Sequence, residues 1–90
     1  MPLYMDVHTI AGGVALEDVA KAHVADLQAQ AAHGVNYLRY WVDERAGKVF
    51  CLVEAPTAQA AETVHREAHG LVADAVFEVT EGALTWPPGD

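Results

Sequence analysis

The stretch from Leu3 to Ile10 is rich in strand-forming residues and stops at Gly12-Gly13, so it predicts a first strand running into a turn. The period then changes. From Leu16 to His33, Leu16, Val19, Ala20, Val24, Leu27 and Ala31 recur at helical spacing; Glu17 and Asp18 suit the N-terminal dipole, and Gly34 supplies a stop. Tyr37–Asp43 and Lys48–Glu54 are aromatic and β-branched, and Glu44-Arg45-Ala46-Gly47 between them suits a hairpin loop. Ala55-Pro56-Thr57 breaks the strand, and Thr57 is placed to cap a second helix with an apolar line of Ala60, Ala61, Val64 and Ala68 that stops at Gly70. Ala75–Thr80 reads as a fourth strand.

The order β-α-β-β-α-β predicts an α+β, ferredoxin-like domain: a four-stranded antiparallel sheet with both helices on one face. Residues 1–82 form the expected domain. Residues 83–90, with Trp86-Pro87-Pro88, form a tail whose prolines cannot continue a sheet interior. Period-two reading places Met5, Val7, Leu38, Val42, Val49, Cys51, Val53, Phe77 and Val79 beneath the helices. The opposite set holds Tyr4, Asp6, His8, Tyr37, Arg39, Trp41, Phe50, Leu52, Glu54, Val76 and Glu78. That mixture is too aromatic to stay wet and too charged for a simple core, so a second subunit or a ligand is expected to cover it, with a sheet-on-sheet homodimer favoured because so short a chain has a small core.

Composition narrows the function classes. Thirteen Asp plus Glu against five Lys plus Arg give a formal charge of −8, which repels phosphate backbones and anionic membranes, so nucleic acid is not an expected partner. No segment approaches the roughly 20 apolar residues of a membrane span, and no basic leader precedes the first strand. Cys51 is the one cysteine, which excludes an intrachain disulfide and fits a cytoplasmic setting. By pattern Cys51 is a buried small hydrophobe.

The chain carries five histidines, and His65 and His69 stand four residues apart near the end of the second helix, where both rings share one helix face. That is the spacing of a bidentate transition-metal clip. In a βαββαβ domain the end of the first strand lies at the same end of the sheet, which makes His8 a third ligand, although its parity points it to the open face. If His8 stays there, Asp6, Glu78 and His8 form a separate, oxygen-rich grouping. His23, on the apolar side of the first helix, reads either as a packed imidazole or as a fourth ligand; His33, beside Gly34, reads as a helix-end residue. Imidazole nitrogen with a few oxygens suits nickel, zinc, copper or cobalt.

Enzyme signatures are scarce. The chain has no serine, no phosphate-binding glycine loop and no His-Glu-x-x-His, since Glu67 falls two positions after His65 instead of one. Binding is therefore favoured over turnover. The alternative is a cofactor-free small enzyme, similar to dimeric ferredoxin-like monooxygenases and isomerases, with a pocket lined by Tyr37, Trp41, Phe50 and Glu54.

At Met5-Asp6-Val7-His8-Thr9-Ile10, Gly34-Val35-Asn36-Tyr37, Phe50-Cys51-Leu52-Val53-Glu54-Ala55-Pro56 and the run from His65 to Asp74, the chain resembles a family of small bacterial nickel-binding proteins. The resemblance spans about residues 1–82. It implies a ferredoxin-like fold, a homodimer and nickel binding, and hence a role in metal sequestration, delivery or sensing, with His8, His65 and His69 as the metal ligands.

Overall fold

The computed structural model describes residues 1–87 and 89. The elements run β1 (Leu3–Thr9), α1 (Leu16–Ala29), a 3-10 turn (Gln30–His33), β2 (Asn36–Asp43), β3 (Lys48–Glu54), α2 (Ala58–Ala68) and β4 (Ala75–Val79). The four strands form one sheet in the order β2-β3-β1-β4, every neighbouring pair antiparallel. This is the expected ferredoxin-like arrangement. Pro88 and Asp90 of the C-terminal tail lie outside the described residues.

Local signals set most boundaries. Thr57 caps α2, its side-chain oxygen accepting the Ala60 N–H at 3.1 Å. Gly70 follows the helix at φ +80, a conformation that side-chain-bearing residues rarely adopt, and its N–H returns to the His65 carbonyl at 2.9 Å. Helix α1 has no side-chain cap of its own; Glu44 of the β2–β3 loop instead accepts the Leu16 N–H at 2.7 Å. Gly47 in that loop packs so closely on the Ile10 carbonyl that no Cβ fits, which ties the hairpin to the end of β1.

The core lies between the sheet and the helices: Val19 from α1, Ala61 and Val64 from α2, Tyr37, Val49, Cys51 and Val53 from β2 and β3, with Val35 and Ala55 beside them. Directly opposed residues on antiparallel strands share a face. Since Asp6 faces Cys51 and His8 faces Val49, the polar side of β1 lies under the helices. The expected faces of β1 are therefore reversed, with Tyr4, Asp6 and His8 inward and Met5 and Val7 outward. The same holds in β4, where Val76 pairs with Asp6 while Phe77 pairs with Met5 on the open side. In β2 an irregularity between Tyr37 and Arg39 shifts the register, so that Tyr37 and Tyr40 both face inward and Leu38 is exposed. Val42, Val49, Cys51 and Val53 face inward as expected, and Trp41, Phe50 and Leu52 face outward.

Candidate metal centre

Inverting β1 puts a carboxylate into the core, and its neighbours show why this is tolerated. Asp6 is 1% exposed, and both of its oxygens are satisfied. His8 Nε2 donates to Oδ1 at 3.0 Å; His65 Nε2 at 2.9 Å and the Tyr37 hydroxyl at 3.1 Å both donate to Oδ2. The Tyr37 proton is shared with the Ala61 carbonyl at 3.0 Å, which fastens the network to α2. Among the described residues no buried side-chain polar atom lacks a partner, so the desolvation cost is met by hydrogen bonds.

The network continues through the His65 ring. Its Nδ1 donates to Asp26 Oδ1 at 2.9 Å, and His69 Nε2 approaches the same oxygen at 3.1 Å. His65 Nδ1 and His69 Nε2 are 3.2 Å apart. Because the Leu71 N–H donates to His69 Nδ1 at 3.1 Å, neutral His69 carries its hydrogen on Nε2 and donates it to Asp26. Asp26 Oδ1, His65 Nδ1 and His69 Nε2 thus form a nearly equilateral triangle of two imidazole nitrogens and one carboxylate oxygen. Cis donors about 2.1 Å from a six-coordinate metal stand about 3.0 Å apart, so the triangle matches one face of an octahedron. A second donor group, Asp6, His8, Cys51 and His65, lies behind it, and His65 belongs to both.

Charge follows from these contacts. Burial alone would lower His65, but hydrogen bonds to Asp26 and Asp6 and their negative charge outweigh it and lift the imidazole to about 9. Burial alone would raise Asp6, but the hydrogen bonds and charge of His65 and His8 hold it well below the usual carboxylate range. Burial pushes the Cys51 thiol and the Tyr37 hydroxyl upward, with Asp6 adding to both, so each is neutral. His69 is lowered, first by burial and then by the neighbouring His65, against the pull of Asp26. At neutral pH the centre is a buried imidazolium clamped between two carboxylates, with a neutral His69 at its outer edge.

Comparison with known proteins places the chain. Residues 4–79 match the family described as "Nickel responsive protein SCO4226-like". The chain belongs to this family. The crystal structure of SCO4226 from Streptomyces coelicolor A3(2) superposes on it with a TM-score of 0.83 and 36% sequence identity, over 90% of this chain and 99% of that one. No curated protein gives a match.

In this SCO4226-like chain, three of the four histidines expected as ligands are neighbours: the His8 and His65 ring centroids are 4.9 Å apart, and those of His65 and His69 are 5.0 Å apart. His23 belongs to neither donor group; it packs on Tyr40 with centroids 4.7 Å apart and lines the same cavity as His65. Asp6, Glu78 and His8 do not make an open-face site: β1 buries Asp6 and His8 beneath the helices, while Glu78, on β4, stays exposed. His33 is paired with Glu67 Oε2 at 2.7 Å. The aromatic pocket does not assemble either: Tyr37 lies in the core, while Trp41, Phe50 and Glu54 sit on the outward side of the sheet, Trp41 half exposed.

Sequence reasoning missed Asp26. Its signal was available, because Asp26 stands seven residues after Val19 and three after His23, on the stripe of α1 that faces the core. A carboxylate on that stripe needs buried partners, and His65 and His69 are those partners.

Proposed function

We propose that this protein binds a divalent transition metal, nickel foremost, through Asp26, His65 and His69, and that it serves in nickel sequestration, delivery or sensing. The observation that carries the reading is the triangle of two imidazole nitrogens and one carboxylate oxygen with the edges of an octahedral face. The family's description as nickel responsive selects nickel among the ions that this donor set suits, with zinc the nearest competitor. His8 and Asp6 stand behind the ligands. With a metal on Nδ1, His65 keeps its hydrogen on Nε2 and still donates it to Asp6, the carboxylate–imidazole arrangement that orients metal-bound histidines.

His69 supplies a response. With a metal on Nε2, a neutral His69 must carry its hydrogen on Nδ1, where the Leu71 N–H now donates. Metal uptake therefore ends that bond and frees the turn after α2, coupling occupancy to a change at the surface. We further propose that the chain works as a homodimer through the outward face of the sheet, where Trp41, Leu38 and Phe77 are 47%, 46% and 56% exposed beside Met5, Phe50 and Leu52.

The test is isothermal titration of metal-free protein with nickel, beside His65→Ala, His69→Ala and Asp26→Asn. Each substitution is expected to weaken binding at least about tenfold to a hundredfold. Unchanged affinity in all three rejects the assignment.

A further inference from the structure

The triangle of Asp26, His65 and His69 opens onto a cavity of about 80 Å³ between α1 and the sheet. A single water needs roughly 10–15 Å³ on this scale, and an engineered void of about 150 Å³ accepts benzene. The cavity is about half that size but opens to solvent on one side, so it holds several waters, or a five-membered ring whose far edge reaches the mouth. Its lining away from the ligands is mostly apolar and includes Val14, Val19, Val49 and Leu71, beside the packed rings of His23 and Tyr40.

We propose that a metal held by Asp26, His65 and His69 takes a small neutral organic donor as its additional ligand, a nitrogen heterocycle with an apolar flank seated in this cavity. The inference rests on the metal reading above and goes beyond it in naming what fills the positions the protein leaves open. Three donors on one face of a six-coordinate ion leave three places. Waters on the walled side would meet mostly hydrocarbon and lose some of the hydrogen bonds they make in bulk solvent. A flat heterocycle meets the same walls favourably, coordinating through nitrogen, burying its carbon edge against Val14 and Val19 and stacking on the Tyr40 side. An anionic ligand is disfavoured, because the carboxylates of Asp26 and Asp18 both line the cavity.

The experiment uses 1-methylimidazole as the probe, titrated into the nickel-loaded protein and followed by calorimetry and the visible ligand-field spectrum. The cavity walls are expected to make the probe bind at least about tenfold more tightly than it binds free aqueous nickel. Val14→Phe, which fills the cavity, is expected to remove that gain while nickel affinity measured without the probe stays the same. If circular dichroism shows that Val14→Phe fails to fold, Tyr40→Leu, which removes the stacking surface, is expected to cut the gain instead. Probe binding no tighter than to free nickel, or equal in wild type and the folded variant, overturns the proposal and leaves the nickel reading intact. Failure of nickel itself to bind wild-type protein without the probe removes both.

Discussion

The inner face of the sheet buries a charged cluster amid its hydrocarbon core, and the outer face leaves large hydrocarbon side chains exposed. The face under the helices holds Asp6, His8 and Cys51 from the strands, meeting Asp26 and His65 from the helices, whereas the outward face displays Met5, Phe50, Leu52, Trp41 and Phe77. In an ordinary two-layer domain hydrocarbon goes inside and charge outside. Here a closed hydrogen-bond network, in which one imidazole serves two carboxylates, makes the polar interior tolerable, and the outward hydrocarbon is what a second sheet would cover.

The largest expected effect comes from breaking the inner face. Asp6→Ala leaves His65 and His8 buried beside a lost acceptor, and chemical denaturation should show a loss of about 3–5 kcal/mol. Loss below about 1 kcal/mol would mean that the network contributes little to the fold. The outer face is broken by Phe77→Glu. If the sheets pack together, sedimentation should show dimer dissociation about tenfold or more easier, with nickel stoichiometry per chain unchanged. A monomeric wild-type protein would remove the dimer from the account.

Titration sharpens the contrast further, since the inner face holds a strongly shifted histidine. The folded state raises His65 from 6.5 to about 9. Its contribution to stability is therefore fully present below about pH 6.5 and is lost as pH climbs through about 9. The metal-free protein should accordingly melt at a lower temperature at pH 9 than at pH 6. Nickel affinity should move the other way, rising over that range as the Nδ1 proton becomes easier to displace. The smallest effect is expected from Tyr37→Phe. It removes one hydroxyl from a carboxylate that keeps two imidazole donors, and should cost about 1 kcal/mol in thermal or urea unfolding.

The fold was legible because its signals are local. Helical spacing, the Thr57 cap, the Gly70 stop and the hairpin between Asp43 and Lys48 are all written within a few residues, and the element order follows from them. The face assignment failed in β1 and β4 because period-two reading knows only that alternate residues share a side; it chose Met5 and Val7 as core by their chemistry. What decides the side is whether Asp6 and His8 find partners, and those partners come from β2 and α2, distant in sequence. In β2 one irregularity after Tyr37 displaced the count by a residue. That the His65 and His69 rings meet was legible from the four-residue spacing. Asp26 was not, because an acid on a helix reads as solvent-facing until the stripe it shares with Val19 is recognised as buried.

The central claim is that Asp26, His65 and His69 hold a metal in common, and X-ray absorption at the nickel edge on the loaded protein tests it most directly. The account predicts two imidazole groups among nitrogen and oxygen donors near 2.1 Å, with imidazole scattering reduced in both His65→Ala and His69→Ala. A spectrum without imidazole scattering, or one identical in wild type and both variants, would contradict it.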